Sequence, residues 1–354
     1  MSELELNETP VRTSKSFNIN NIVLNDVEIP KKINEFTNVT VSDLGLKTEI
    51  SHNTSKISSK YGLGDFFTKQ VRDNSNYKAN LTINNKAQKK FEIGFEFDTK
   101  NKNLVEDIEI TAMEDSNSTI VLKYQSEEDI KAYHNGFIRV NAKSGSTTNI
   151  IILNLINDIS NNLFSIENNI EDDAKLNYFI IDLGGKNSVT NYYSNVVGKN
   201  ADNQLNVIYI GKDEQKIDLN YIAELFGEKS NVDIEVQGAL KDNAKKHFKG
   251  TIDFKKGCKK ATGNENENCM LLSDTARSIA LPMLLCSEED VEGNHSTSSG
   301  KIGDKELFYI MSRGFEKKDA IKLMVRAKFG EIIDKISDIE IRNHINHEIN
   351  VRLD

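Results

Sequence analysis

Apolar and polar residues alternate with a period of two along much of the middle of the chain. Phe91-Glu92-Ile93-Gly94-Phe95-Glu96-Phe97 and Ile108-Glu109-Ile110 place every second side chain on one face, as a half-buried strand does. Tyr178-Phe179-Ile180-Ile181-Asp182-Leu183, Val189 to Val197, Leu205 to Ile210, Val232 to Val236 and Phe248 to Phe254 are further short β-type runs. Gly185, Gly198 and Gly211 punctuate them at steps of about thirteen residues, with Gly238 near twice that step. Glycine and asparagine tolerate the left-handed backbone of tight corners. No proline stands between Pro30 and Pro282, so ladder hydrogen bonding can run uninterrupted. Short strands, corner residues and no intervening crossover helices predict a coiled sheet, a solenoid or β-helix, with a sandwich as the alternative. Two segments, Ser126 to His134 and about Leu219 to Phe226, read instead as helix-compatible.

The two ends differ from the middle. Residues 1 to about 60 are polar, contain Pro10 and Pro30, and show no long periodic helix. Near the other end, Glu316 to Ile336 sets Ile321, Val325, Phe329, Ile332 and Ile336 three or four residues apart, beside Ala320, Met324 and Ala327, an amphipathic helical stripe. Asp338 can cap a second helix, in which Ile341, Ile345, Ile349 and Leu353 recur every four residues. The expected division is a polar, mixed region over 1–90, a β-helix core over 91–312 and a helical pair over 313–354.

With 354 residues, 38% hydrophobic and 28% charged, the chain can bury a sizeable core as two domains or one long architecture. Its net charge of −9 argues against a general binder of nucleic acid or anionic membrane. The longest apolar stretch, near Ile150 to Ile156, is broken by Asn154 and falls far short of the roughly 20 residues that cross a bilayer, which excludes a permease. The first residues lack the basic start and apolar run of a secretory signal. Cys258, Cys269 and Cys286 form an odd set too small for a disulfide framework, so a reducing, cytoplasmic setting is expected. Asparagine, at about one residue in eight, reads as base-composition bias rather than low complexity.

Most local motifs carry no chemistry. Leu183-Gly184-Gly185-Lys186-Asn187-Ser188 lacks the earlier glycine and following helix of a phosphate loop and reads as a β-corner. Tyr61-Gly62-Leu63-Gly64-Asp65 reads as a loop, and His344, His347 and Glu348 as a solvated helix face. The cysteines and histidine between Cys258 and His295 matter more, because thiolate suits iron and sulfur chemistry and imidazole can complete such a site. Their spacing matches no CxxC or ferredoxin pattern. Cys286 reads as a small buried apolar residue. Cys269, placed at the start of a strand, is open to either role.

Asn268-Cys269-Met270-Leu271-Leu272-Ser273-Asp274 leads to Leu281-Pro282, then to Glu289-Asp290-Val291-Glu292-Gly293-Asn294-His295-Ser296 and Glu306-Leu307-Phe308-Tyr309-Ile310-Met311-Ser312-Arg313-Gly314. This run resembles the C-terminal signature of the SufB/SufD family of iron–sulfur cluster assembly proteins. The specific likeness covers roughly residues 250 to 337, with looser agreement back to about residue 135. The resemblance implies a right-handed parallel β-helix flanked by helical regions, acting as a scaffold without turnover of its own. It further implies a SufC-like ABC ATPase that hydrolyses ATP, a SufB-like paralogue, and sulfur supplied indirectly by a cysteine desulfurase and its carrier. A transient iron–sulfur cluster would assemble at the subunit interface, and the residues leave open whether a reduced flavin takes part.

Residue by residue, His295 matches the signature histidine and is the interface candidate for iron or nascent cluster, with Cys269 as the second. The ATPase would dock on the C-terminal helices, with Arg313, Gly314, Phe315, Ile321, Met324 and Val325 as candidates. SufB-like proteins place Glu after the signature histidine and SufD-like proteins usually Gly; here it is Ser296. SufB-like proteins also carry a cysteine on the preceding strand, about two residues before Cys269, a shift that keeps the same strand face. These departures and the chain length favour a SufD-like member. A self-sufficient SufB-like homo-oligomer is the alternative. A β-helix carbohydrate-active or adhesive protein is a third reading, disfavoured by 7% aromatic content.

Overall fold

A computed structural model describes residues 3–12, 19–43, 48–51, 57 and 59–354. The chain winds into a parallel β-solenoid of about eight turns, flattened into two nine-stranded sheets. Each turn contributes one strand to each sheet. The first sheet runs from the C-terminal end through Val291–Lys301, Ala261–Leu271, Asn231–Leu240, Asp202–Gly211, Lys175–Asp182, Thr147–Leu155, Asn117–Ser126 and Lys89–Phe97 to the antiparallel Val39–Asp43. The second runs through Arg277–Cys286, Lys245–Phe254, Lys216–Leu225, Asn187–Val196, Asn161–Ile170, Tyr133–Ala142, Asn103–Ala112 and Tyr77–Ile83 to the antiparallel Thr48–Ser51. A ladder step advances 26 residues at Asn161↔Asn187 and 32 at Lys245↔Arg277, so the glycine step of thirteen marks half a turn.

Alternation explains the strands. In Lys216–Leu225, Ile217, Leu219, Tyr221, Ala223 and Leu225 join the core between the sheets, where Ile152, Tyr178, Leu205, Val236 and Phe248 also lie. The outward residues Asp218, Asn220 and Glu224 are nevertheless buried. This overturns the helix expected at Leu219 to Phe226: with both faces covered, the strand no longer reads as one-sided. The helix expected at Ser126 to His134 is likewise absent. Residues 127–132 form a corner that tucks Ile130 and Ala132 into the core before the next strand begins at Tyr133.

Corners follow local chemistry. Asp115, Asp173, Asn200 and Asp213 all take φ between 53° and 57°, so short polar side chains serve where glycine was expected. Gly184 is required by close stacking, since a Cβ there would lie 1.9 Å from the carbonyl oxygen of Ile156 one turn away. Leu183 to Lys186 is thus a corner, as its sequence implied. Gly238 is not; it lies inside a strand.

Each sheet is sheathed outside along its central turns. Helix α1 (Asp65–Asn74), which the sequence reading missed, and the N-terminal segment bury Leu6, Leu24, Phe67 and Val71 against Val105, Phe137, Leu163 and Val189 of the second sheet. Three helices follow the last strand: α2 (Asp304–Ser312), α3 (Lys317–Ile333) and α4 (Ile339–Leu353). The last two match the amphipathic stripes, and Asp338 caps α4 by accepting from the amides of Glu340 and Ile341. Val325, Phe329, Ile345 and Ile349 pack on Ile151, Leu153, Ile181 and Ile208 of the first sheet. The final turn has no such cover. Arg277–Cys286 and Val291–Lys301 are paired on one side only, and the inward face of the latter meets solvent.

Candidate functional site

His295 stands exposed on Val291–Lys301, in register with Glu265 of the strand beneath. Glu265, Glu267 and Cys269 alternate onto the inward face of Ala261–Leu271 and are all buried. Cys269 lies near the end of that strand, not at its start, and pairs with Ser299. His295 and Cys269 therefore face the same side but stand about 14 Å apart, four residues along and one strand across. The structure does not bring them together.

Cys269 sits in a polar pocket of the interior. Lys246, fully buried on the facing sheet, donates to Glu267 Oε1 at 2.7 Å, and the Tyr209 hydroxyl donates to the same oxygen at 3.0 Å. Burial pushes the Cys269 thiol above its ordinary pKa, while the nearby Lys246 ammonium pulls it down. Burial, with the Glu267 carboxylate next, lifts Glu265 to about 8. At neutral pH Glu265 is thus mostly the neutral acid, and the charge of the region is the Lys246–Glu267 ion pair, held together where ions are costly unless partnered. Sequence reasoning missed Glu265, Glu267 and Lys246, because polar side chains in an alternating strand look solvent-facing; their signal is that the strand has no outward apolar face to bury instead.

The other thiols divide. Cys258 is buried, and burial raises its pKa to about 11. Cys286, expected to be buried, is exposed, because its strand is the last on its sheet and no further turn closes over it. His344 lies 3.8 Å from Glu348, and burial followed by Lys123 lowers its pKa. Among the described residues, no three His, Cys, Asp or Glu side chains gather to hold a metal ion.

The docking candidates also separate. Helix α2 has no buried residue, leaving Phe308 73% and Tyr309 59% exposed. Arg313 stacks over Tyr309 at 5.1 Å, Gly314 turns the chain at φ 97°, and Phe315 is exposed beside them. Ile321 and Met324 are half-buried, whereas Val325 is wholly buried under α3. Among the described residues, no helix is long and apolar enough to cross a membrane.

The family model for the SUF system FeS cluster assembly SufBD core domain matches residues 95–328, from the first parallel turn of the solenoid into α3. The chain belongs to the SufB/SufD family. Similar relatives include the iron–sulfur cluster assembly protein SufD of Bacillus subtilis, 26% identical over 164 residues, which are 46% of this chain and 38% of that protein. A SufBD family iron–sulfur cluster assembly protein of Pyrococcus horikoshii is 31% identical over 159 residues, 44% of this chain and 34% of its own. SufD of Escherichia coli is 26% identical over 114 residues, 32% of this chain and 27% of that protein. The matched stretches thus span well under half of these SufB/SufD relatives, all of which are named as assembly proteins.

Proposed function

We propose that this SufB/SufD family member is a SufD-like scaffold subunit, working in the cytoplasm without turnover of its own. Its partners are a SufC-like ABC ATPase and a SufB-like paralogue, with sulfur arriving through a cysteine desulfurase and carrier. The observation that carries this reading is the open last turn. Two adjacent strand edges lack outer neighbours there, and His295 stands on one of them. An exposed edge is a ready template for another sheet, so a paralogue seated on it would enclose His295 at an interface where nascent cluster can be held. Cys269, one turn inside, is the accompanying sulfur donor group.

The ATPase docks on the helices that follow the last strand in this reading. Helix α2 offers Phe308, Tyr309 and Met311, followed by Arg313, Gly314 and Phe315, all exposed. Clustered aromatic, methionine and arginine side chains are the composition of interface anchors. Ile321 and Met324 can join the rim, while Val325 couples the docked helices to the sheet. Three free cysteines suit a reducing compartment.

The test is tagged co-purification of the full chain with both partners. Phe308→Asp combined with Met311→Asp is expected to lose the ATPase and keep the paralogue. His295→Ala is expected to retain both partners and to impair cluster delivery. Recovery of neither partner by the unaltered protein refutes the scaffold reading, and a cluster-bearing homodimer formed without a paralogue replaces it by the SufB-like one.

A further inference from the structure

The connection between α3 and α4 roofs a cavity of about 310 Å³ on the outer face of the first sheet. Its floor comes from two neighbouring rows of the ladder. In one, Thr119 pairs with Asn149 and Asn149 with Asn177; in the next, Ile151 pairs with Phe179. The polar row is a hydrogen-bonded chain with a direction. Asn177 Nδ2 donates to Asn149 Oδ1 at 2.9 Å, and Asn149 Nδ2 donates in turn to Thr119 Oγ1 at 3.4 Å. Gln88 Nε2 reaches the same oxygen at 3.3 Å. Thr119 is only 8% exposed, and its hydroxyl, already accepting twice, has its own proton left to give. Among the described residues nothing accepts that proton. The wall is cationic: Lys89, Lys90 and Lys335 line it, with Asp338 the only carboxylate among the described lining residues. Asp338 is spent within the fold, since Oδ1 caps α4 and Oδ2 accepts from Lys90 at 2.9 Å. Lys335 gives one proton to Asn206 Oδ1 at 2.8 Å, and neither it nor Lys89 has a carboxylate in bonding contact among the described residues. Glu92 and Glu340 near Lys90, and Asp233 near Lys335, act from outside the lining.

We infer that this cavity binds a small anion with a flat apolar body, an aromatic phosphate or carboxylate. The anion accepts from the Thr119 hydroxyl and from the ammonium groups of Lys89 and Lys335, and the ring lies on Ile151 and Phe179. Ammonium and hydroxyl donors to an anion make charge-assisted bonds, stronger than neutral ones, and the apolar floor adds the burial of the ring. A cavity of this volume is at the small end of ligand pockets, which suits a body of one or two rings. Three strands of the sheet separate the strand of Phe179 from the open edge at Val291–Lys301, and no residue of α2 lines the cavity. The site therefore stands apart from both partner surfaces of the scaffold role.

The test is isothermal titration calorimetry of the full chain with 1-naphthyl phosphate and with 1-naphthoate, the two arms separating a phosphate from a carboxylate ligand. 1-Naphthol and inorganic phosphate serve as the body and the charge alone. Wild type is expected to bind one equivalent of at least one naphthyl anion, and to bind 1-naphthol and inorganic phosphate at least about tenfold more weakly. Thr119→Val and Lys335→Gln are each expected to weaken binding of the anion by about tenfold. Thr119→Ser keeps the hydroxyl and is expected to bind within about twofold of wild type, which separates a lost donor from a disturbed sheet. Absence of saturable binding of either anion by wild type, 1-naphthol binding as tightly as the anions, or wild-type affinity in both Thr119→Val and Lys335→Gln overturns the inference. Each of these outcomes leaves recovery of the ATPase and the paralogue unchanged, so failure here is distinct from failure of the scaffold reading.

Discussion

The ring of Tyr209 occupies the space that a side chain at residue 238 would need, since a Cβ on Gly238 would meet its Cζ at 1.9 Å. Tyr209 is fully buried and extends past Gly238 to place its hydroxyl on Glu267. Gly238→Ala must therefore displace an aromatic ring in a packed interior. The expected loss is about 2–3 kcal/mol in urea unfolding, typical of overpacking. Tyr209→Phe keeps the ring and removes one hydrogen bond, for about 1 kcal/mol. A Gly238→Ala midpoint equal to wild type would contradict this packing.

Asp182 gives the solenoid a pH dependence. Its carboxyl accepts from Asn154 Nδ2 at 2.6 Å and from Ser188 Oγ at 2.7 Å. Burial outweighs both donors and raises its pKa from 3.8 to about 6. A carboxyl whose folded pKa exceeds the unfolded one stabilises the fold below the unfolded value and loses that contribution as pH rises through the folded value. The shift corresponds to about 3 kcal/mol lost between about pH 4 and pH 7. Asp182→Asn preserves the shape without the charge. It should unfold at higher urea than wild type at pH 8 and show no advantage at pH 4; parallel pH profiles would exclude Asp182 as the cause.

The N-terminal segment is fastened by an ion pair. Lys249 Nζ lies 2.7 Å from Asp218 Oδ1, and Asn7 seals the pair by donating to the same carboxylate at 2.6 Å and accepting from Lys249 at 2.8 Å. Asp218→Ala leaves an ammonium buried alone and should destabilise by about 3–5 kcal/mol. Asn7→Ala loses the side-chain donation to Asp218 while keeping the backbone carbonyl that accepts from Lys249, and places alanine at φ 60°, a left-handed conformation costing about 1–2 kcal/mol. Faster amide exchange in Asn187–Val196 is its expected signature, and unchanged exchange there would mean the fastening lies elsewhere.

The solenoid was readable wherever one strand face met the core and the other did not, as at Phe91 to Phe97. Lys216–Leu225 defeated that logic because Asn7 and Lys60, distant in sequence, cover Asp218 and Glu224. The C-terminal helices were legible from their stripes and from Asp338, whereas α1 is only ten residues long and opens on Gly64 without a side-chain cap. Of the candidate site, His295 could be placed on its strand from the motif. Glu265 and Glu267 could not, because inward glutamates become recognisable only once the facing Gly250 and Lys246 are known.

Thiol accessibility separates the cysteines. Cys286 is exposed, whereas Cys258 and Cys269 are buried with thiols shifted upward. An aromatic disulfide reagent at neutral pH should titrate one thiol rapidly in the native protein and three after denaturation. Cys286→Ser should remove the fast phase; a fast phase that survives would place another thiol at the surface.

Pro282 lies in Arg277–Cys286, the outermost strand of its sheet. A residue without an N–H is tolerated where that position faces away from the ladder, so the row of donors offered outward has a gap at its middle. Identical parallel strands stacked without interruption are how fibrils elongate. A gap of this kind makes stacking of identical copies on that edge less favourable, a device by which natural edge strands discourage open-ended pairing.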